Sequence, residues 1–322
     1  MKYLKGLIAF GFASLLVIFI ANVSSVNPVE SYDERFVFVA PISWNSVASG
    51  ISAADREFGT NTRLVGSKSL NEERMLAEME AAIASGVDGI ITAGVFGTPE
   101  MYEMIRKAED SGIPVVILDS DLSGAERSTY VGTNNYEAGI ASGKDLVEVT
   151  GGSARIAVVV SELSASNQQE RLNGLNFVLE QYPDMQVTEV LECHSNYHEI
   201  AEKLMTALKT HPEIDTLCFL EGRAGSCFGG FLEKDSIYKG KLRIVAFDGS
   251  DATIRYVQDG TYYSTIVQKQ YEEGYKAVET LYQIVHGMEP NDTVYTDVQS
   301  IRKNNISSYK KPSKEGLVWH YY

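Results

Sequence analysis

The chain has 322 residues, of which 44% are hydrophobic and 22% charged, and its formal net charge is −15. This length and balance are typical of a soluble protein with two domains of ordinary size. The acidic charge argues against a nucleic-acid partner, because phosphate binding requires a basic surface.

The N-terminus carries a membrane-directed signal. Lys2 and Lys5 precede an uncharged, largely apolar stretch over residues 6–23, which is just long enough to span a bilayer. Residues 1–26 therefore form either a retained signal anchor or a cleaved signal peptide. The poor cleavage site after residue 20 favours the anchor, and the lack of a cysteine excludes a lipoprotein. We expect the rest of the chain to be extracytoplasmic, either anchored in the cell membrane or secreted to the periplasm.

From residue 35 onward, strand and helix patterns alternate. Predicted strands cover residues 35–40, 62–65, 89–92, 115–118, 155–160, 186–192, 216–220, 242–247, 263–268 and 293–298. Predicted helices cover residues 46–58, 71–85, 99–111, 134–150, 167–181, 198–209, 224–234, 250–259 and 271–285. This alternation predicts parallel sheets with right-handed crossovers, and the number of strands favours two sheets. We expect the basic, aromatic tail over residues 310–322 to be loosely attached.

Two strand ends far apart in the chain share one design. The run PVVILD ends at Asp119, and the run LRIVAFD ends at Asp248. Continuous apolar runs predict buried parallel strands, so each aspartate lies at a carboxyl end, where open α/β sheets place ligands. A single such aspartate is as well explained by a helix cap. Two at corresponding places predict two lobes that present carboxylates to one cleft.

Motifs for catalysis or cofactor binding are missing from the sequence. No dinucleotide fingerprint, phosphate-binding loop or nucleophile elbow follows a predicted strand. His194 and His198 are four residues apart, but a helix start between them argues against a metal site. Of the three cysteines, Cys218 is expected to be buried and Cys193 is the candidate for exposure. The sequence thus predicts a protein that is not an enzyme and needs no cofactor.

The predicted cleft instead contains residues suited to sugars. Aspartates accept strong hydrogen bonds from hydroxyl groups, and aromatic rings stack on the apolar face of a sugar ring. Trp44 and Tyr197 each follow a predicted strand, and Gln268 ends the strand before the last long helix. Each has an alternative reading: the two rings pack under loops, and the Gln268 amide binds only backbone groups.

Five short segments make the chain resemble the type I periplasmic sugar-binding proteins, of the ribose- and galactose-binding kind. The resemblance covers about residues 35–303. The segments are residues 84–91 (ASGVDGII), 112–119 (GIPVVILD), 131–139 (VGTNNYEAG), 170–174 (ERLNG) and 245–249 (VAFDG). Their order and spacing together carry the resemblance.

The resemblance implies an α/β fold of two Rossmann-like lobes with parallel sheets, joined by a three-strand hinge. The N-terminal lobe would comprise residues 35–134 plus 269–295, and the C-terminal lobe residues 135–268 plus 296–309. The family's sugar contacts map onto Trp44 as an aromatic platform, Asp119 and Asp248 as hydroxyl acceptors, Tyr197 as a second ring, and Gln268 as a hinge amide.

Several positions depart from the family's pattern. Ser120 and Gln169 stand where arginines are expected, the latter two residues before the arginine of the ERLNG segment. Glu221 replaces an expected asparagine, with Arg223 close by, and Asn45 stands loosely for an early asparagine. The loss of two arginines and the gain of an acid make plain ribose a doubtful ligand and admit a cationic or amino-bearing one. Neutral monosaccharides, or amino sugars if Arg223 points away, are expected to be preferred over acidic or phosphorylated sugars.

The expected function is capture of a small ligand, most simply a monosaccharide, by closure of two lobes. The closed shape would be read by a membrane partner, either an ABC sugar permease or a sensor histidine kinase. Two other classes share this kind of fold. A transcription regulator would need a DNA-binding headpiece where the apolar segment stands, and an enzyme would need a nucleophile or base with a positioned partner.

Overall fold

The computed structural model describes residues 34–42, 44–67, 71–234, 237–309 and 317–321 of the chain. The predicted membrane segment over residues 1–26 lies outside these ranges. Within them, no helix combines the length and the apolar character that a bilayer crossing requires.

The first of two sheets is entirely parallel. Its seven strands lie in the order β11-β5-β4-β3-β1-β2-β13. They are β1 (Arg35–Val39), β2 (Asn61–Gly66), β3 (Gly89–Ala93), β4 (Val115–Leu118), β5 (Thr129–Thr133), β11 (Thr293–Thr296) and β13 (Trp319–Tyr321). The central strands β3 and β4 are buried along their whole length because helices cover both faces, which explains their continuous apolar runs.

The second sheet has six strands in the order β12-β10-β9-β8-β6-β7. They are β6 (Ala154–Val160), β7 (Met185–Glu192), β8 (Thr216–Phe219), β9 (Arg243–Phe247), β10 (Ser264–Gln268) and β12 (Val298–Arg302). All neighbours are parallel except β12, which is antiparallel to β10.

The helices cover both faces of the two sheets. They are α1 (Asn45–Phe58), α2 (Glu72–Ala84), α3 (Pro99–Asp110), α4 (Asn135–Thr150), α5 (Ser166–Leu179), α6 (Tyr197–Thr210), α7 (Gly222–Lys234), α8 (Asp251–Asp259) and α9 (Gln270–Val285), with a short 3-10 turn at Ile306–Ser308. Side-chain caps begin six of them, at Asn71, Thr98, Asn134, Asn196, Glu221 and Ser250.

Each lobe contains one helix pair in backbone contact. In the first lobe α1 packs on α9 through Gly50 and Gly274, and in the second α4 packs on α5 through Gly139 and Gly174. A Cβ atom on any of the four would lie within 2.1 Å of a carbonyl oxygen of the partner helix. Glycine is therefore required at these positions, and the pairs bring the helix starts close to the hinge.

The chain passes between the two sheets at three places that are far apart in sequence. It crosses after β5 at Thr133, after β10 at Gln268, and between β11 and β12 at Asp297. The α/β class with parallel sheets is thus confirmed. The lobe boundaries of the sequence prediction are kept as a proposal.

Three strands were missed by the sequence prediction. β5 carries Thr129, Gly132 and Thr133, whose polarity hid a strand that is buried between β4 and β11. β12 was not separated from β11. The tail was expected to be loosely attached, which is wrong for its last residues, because β13 pairs with the edge strand β2.

The expected exposure of the cysteines also needs correction. Cys193 is fully buried, its thiol donates to the Val160 carbonyl oxygen at 3.0 Å, and burial raises its pKa to about 12. Cys218 is buried as predicted, and the partly exposed thiol is that of Cys227.

Candidate ligand-binding cleft

Asp119 and Asp248 end β4 and β9 in the same unusual backbone conformation. Their φ angles are 69° and 61°, in the left-handed region that non-glycine residues seldom adopt. Each N–H donates to the neighbouring strand: Asp119 to Val131 O at 3.1 Å, and Asp248 to Ile266 O at 2.8 Å. The two lobes therefore position their aspartates by the same backbone conformation and the same hydrogen bond to the neighbouring strand.

Hydroxyl groups from the neighbouring strands hold the same two residues in place. The Tyr130 hydroxyl donates to the Asp119 carbonyl oxygen, and the Thr265 hydroxyl donates to the Asp248 carbonyl oxygen, both at 2.7 Å. Strained backbone of this kind persists only where its surroundings fix it, and it clusters at functional sites.

Arg171, in the first half of α5, is the buried cation of this region. Its guanidinium donates to Asn135 Oδ1 at 2.8 Å, to the Leu220 carbonyl oxygen at 2.9 Å and to Gln268 Oε1 at 2.9 Å. It also lies over the Phe247 ring, 4.1 Å from the centroid. Arg171 thus ties together the carboxyl ends of β8, β9 and β10 and the start of α4.

Gln268 connects this arginine to an aspartate. Its Nε2 donates to Asp248 Oδ1 at 2.9 Å while its Oε1 accepts from Arg171. Because Arg171 can only donate, the orientation of the Gln268 amide is fixed. The residue was predicted as a hinge amide, and the structure places it beside Asp248.

Burial and charge act in opposite directions on these groups. Burial raises the pKa of both Asp119 and Asp248, and the positive charge of Arg171 opposes this rise in each. The charge of Asp248 raises the pKa of Asp119 further. Burial lowers the pKa of Arg171, and the two carboxylates oppose that change. The three groups form one buried electrostatic cluster that spans both lobes.

A further carboxyl, Glu273, lies at the hinge. Its Oε1 accepts from Thr133 Oγ1 at 2.8 Å and from Thr296 Oγ1 at 3.3 Å, which belong to two of the three crossings. Its Oε2 is buried and has no hydrogen-bond partner among the described residues. Burial, and then the charge of Asp119, raise the pKa of Glu273 to about 8.

Direct hydrogen bonds also join the two lobes across the cleft. Asn167 Nδ2 donates to Ser120 Oγ at 2.8 Å, and Ser166 Oγ donates to the Asp121 carbonyl oxygen at 3.3 Å. Ser120, which stands where an arginine was expected, thus lies at the lobe contact, with its own hydroxyl 3.2 Å from Asp119 Oδ2. These contacts describe a closed arrangement.

A cavity of about 510 Å³ opens next to Asp248 and Gln268, a size that suits a small ligand. Ser46 and Tyr271 line it from the first lobe, and Tyr309 borders it from the end of the second. Asp119 lies outside this lining. A shared ligand between the two aspartates accordingly stays a prediction.

Trp44 and Asn45 lie at the carboxyl-end side of β1, as expected. Trp44 immediately precedes α1 and packs, half-buried, against the core of the first lobe. The Asn45 Oδ1 atom accepts from the indole N–H of Trp319 at 3.1 Å. Ser46, the next residue, lines the cavity.

Glu221 is buried and acts as a cap for α7. One of its carboxylate oxygens accepts from the Ala224 N–H, and the other accepts from Ser195 Oγ at 2.8 Å. Burial raises its pKa, and the Ser195 hydrogen bond opposes the rise. Arg223 is exposed and donates to the Ser195 carbonyl oxygen at 3.0 Å, so no ion pair with Glu221 is formed.

Tyr197 and Gln169 are the most peripheral of the predicted site residues. Tyr197 is 54% exposed, and its hydroxyl lies 3.2 Å from Ser226 Oγ. Gln169 is exposed, and its amide donates to the Leu163 carbonyl oxygen at 2.7 Å. The structure therefore brings Asp248 and Gln268 together with Arg171, and it does not bring Gln169 to them.

The sequence prediction missed Arg171. It sought an arginine at position 169, two residues before the one that is buried. Arginines were expected at positions 120 and 169. Of the residues found there instead, only Ser120 lies in the cleft. Asn135 and Glu273 were also missed. Both belong to segments that begin a helix directly after a hinge strand, which is the signal that could have found them.

Comparison with known proteins gives a family match. A family model described as a periplasmic binding protein domain matches residues 37–289. A curated relative, the D-apiose import binding protein of Paraburkholderia graminis, is 23% identical over 202 residues, covering 62% of this chain. The chain spans 64% of that relative's length.

Solved structures match over most of both chains. GanP, a glucose-galactose binding protein from Geobacillus stearothermophilus, is 33% identical with a TM-score of 0.78, covering 84% of this chain and 98% of its own. A chain of the XylFII-LytSN complex is 28% identical with a TM-score of 0.75 and the same coverage.

Proposed function

The chain belongs to the type I periplasmic sugar-binding protein family, and we propose that it captures a monosaccharide in the cleft between its two lobes. The proposed lobes are those of the sequence prediction, with the strand Trp319–Tyr321 added to the first. Relatives in this family are binding proteins, which supports a role without catalysis.

The observation that carries the proposal is the cluster of Asp248, Gln268 and Arg171, in which Asp248 and Gln268 line an interlobe cavity and Asp119 of the other lobe interacts with Arg171 and Asp248. Carboxylates accept hydrogen bonds from paired sugar hydroxyls, while guanidinium and amide groups donate to hydroxyl and ring oxygens. The groups are held in place by buried partners, so little ordering is needed when a ligand binds.

Trp44 and Tyr197 are proposed as the aromatic faces of the site. Trp44 lies two residues before the cavity-lining Ser46, and Tyr197 begins α6 at the carboxyl-end side of the second lobe. Asn45, Ser120, Glu221, Arg223 and Gln169 complete the set that the sequence assigned to ligand binding. Of these, Gln169 has the weakest support, because its amide is engaged outside the cleft.

The charge balance favours neutral sugars. Asp119 and Asp248 are half-buried acids at the cleft, Glu221 is a buried acid nearby, and Arg171 is the buried cation that interacts with the two aspartates. A phosphate or carboxylate would add negative charge to a desolvated site with an acidic excess, which is costly. Neutral monosaccharides and amino sugars fit this balance better.

Ligand binding would favour the closed form, because only that form contacts the sugar from both lobes. We propose that a membrane partner reads this shape, either an ABC permease or a sensor histidine kinase. The name of one relative, an import binding protein, supports the permease. The XylFII-LytSN complex supports a protein partner of another kind. Residues 1–26 would keep the protein at the outer face of the membrane.

A ligand screen tests the proposal. Thermal shifts are measured with D-glucose, D-galactose, D-arabinose, D-glucosamine, D-galacturonate and D-ribose 5-phosphate, because a bound ligand raises the melting temperature by mass action. We expect shifts with neutral or amino sugars, followed by calorimetry on the best one. Shifts with only the sugar acid or the sugar phosphate would contradict the charge argument, and no shift with any sugar would contradict the function.

A further inference from the structure

The C-terminal strand returns to the first lobe and reaches the ligand end of β1. Trp319, His320 and Tyr321 pair in parallel with Leu64, Val65 and Gly66 of β2. This pairing makes β13 the seventh strand of the sheet, at its edge. The last described residues thus lie close to the segment that begins α1.

Trp319 binds that segment through its N–H group, while its ring packs on β1. Its ring packs at 6.1 Å and 51° against Phe38 of β1, within the same cluster that includes Trp44. Its indole N–H donates to Asn45 Oδ1 at 3.1 Å. Trp44 itself gives α1 no side-chain cap, so Trp319 supplies a fixed contact at this helix start.

The hydrogen bond also decides which end of the Asn45 amide remains available. An indole N–H can only donate, so it occupies the amide oxygen and leaves the NH₂ group as the free end. Asn45 would then act toward a ligand as a donor. Ser46, directly after it, lines the interlobe cavity.

We propose that Trp319 is a positioning residue of the ligand site. It orients the Asn45 amide and thereby fixes the segment that runs from Trp44 to the cavity-lining Ser46, so the C-terminal strand takes part in sugar affinity without touching sugar. This inference rests on the proposed function for its effect on affinity. The structural part of the proposal, that Trp319 positions Asn45 and the neighbouring Trp44, can be measured without any ligand.

The test uses Trp319→Phe, Asn45→Ala and the double variant in the full chain. Phenylalanine keeps the ring and the strand pairing but removes the N–H group. His320→Ala is the matched control, because His320 is an exposed residue of the same strand. The chain has only two tryptophans, so each indole N–H gives an assignable signal in ¹⁵N-resolved NMR.

We expect Asn45→Ala to move the Trp319 indole signal and Trp319→Phe to move the Trp44 signal, while His320→Ala moves neither. With D-galactose as the probe, Trp319→Phe should weaken binding by ~3- to 10-fold, which corresponds to the net free energy of one hydrogen bond. The double variant should bind no more weakly than the worse single variant.

A Trp44 signal that stays in place in Trp319→Phe would overturn the proposal. So would an affinity for D-galactose in Trp319→Phe equal to that of His320→Ala. If the wild-type chain binds no sugar of the screen, the proposed function fails separately, and the two indole signals alone decide whether Trp319 positions this segment.

Discussion

Substitution of Glu273 by glutamine should make the protein more stable at alkaline pH. Glu273 is fully buried at the hinge, and its pKa is raised from the ordinary 4.5 to about 8. Below pH 4.5 the carboxyl is protonated in both the folded and the unfolded chain. Between pH 4.5 and 8 only the unfolded chain releases the proton, so the free energy of unfolding falls as pH rises.

The size of the effect follows from the two pKa values. Their difference is 8 − 4.5, about 3.5. At about 1.4 kcal/mol for each pKa step, the loss of stability reaches at most about 5 kcal/mol above pH 8. Glutamine keeps an oxygen for Thr133 and Thr296, and its NH₂ group replaces a protonated Oε2 that has no partner either. Near pH 5 the two proteins should therefore be similarly stable.

Urea denaturation of both proteins at intervals from pH 5 to pH 9 checks this prediction. The stability of Glu273→Gln relative to the wild type should increase steadily with pH. Glu272→Gln is the matched control, because Glu272 lies in the same helical turn, is partly exposed and pairs with Lys269 at 3.4 Å. Parallel pH profiles for the wild type and Glu273→Gln would refute the assignment of a buried neutral carboxyl at the hinge.

Four further outcomes are expected. Asp119→Asn and Asp248→Asn should each weaken sugar binding by ~10- to 100-fold in calorimetry, since each removes a charge-assisted hydrogen-bond acceptor; unchanged affinity in both would remove the aspartates from the site. Arg171→Lys should lower the free energy of unfolding by about 3 kcal/mol or more in urea, because a compact ammonium cannot reach the three acceptors that the Nε, Nη1 and Nη2 atoms of the planar guanidinium bind separately. Asn167→Ala should shift the ligand-free protein toward the open form in small-angle scattering, because one bond between the lobes is lost; an unchanged scattering profile would contradict this. The full chain should fractionate with membranes and keep residues 1–26 in terminal sequencing, whereas a mature N-terminus near residue 25 would show cleavage.

The alternation of apolar runs was sufficient to predict most of the fold. Strands such as β3 and β4 are buried on both faces, so their sequences are continuously apolar and easy to recognise. β5 escaped because Thr129 and Thr133 are buried polar residues whose hydroxyls find partners only in the folded chain. β13 is three residues long, too short for any periodicity to indicate it.

The candidate site was predictable where a residue ends a strand. Asp119, Asp248 and Gln268 lie at the ends of recognisable apolar runs, and the topology then places them at the carboxyl ends of strands in the two sheets. Arg171 was not predictable in this way, because it lies inside a helix and its burial depends on the close contact of α5 with α4 through Gly139. Helix periodicity alone gives no sign that a charged side chain will face three carbonyl and amide oxygens.

Two buried charged groups, Arg171 and Glu273, lie where the two halves of the chain differ. The close contacts of Gly139 with the Arg171 carbonyl, and of Gly274 with the Val47 carbonyl, make Arg171 the counterpart of Val47. The residues before these glycines, Ala138 and Glu273, correspond in the same way. The second lobe thus carries the buried cation Arg171 where the first has the apolar Val47. The first lobe carries the buried acid Glu273 where the second has the apolar Ala138. The shared backbone geometry already positions Asp119 and Asp248. Substitutions at Arg171 and Glu273 could therefore change the charge of the cleft and the closure of the lobes without altering the fold.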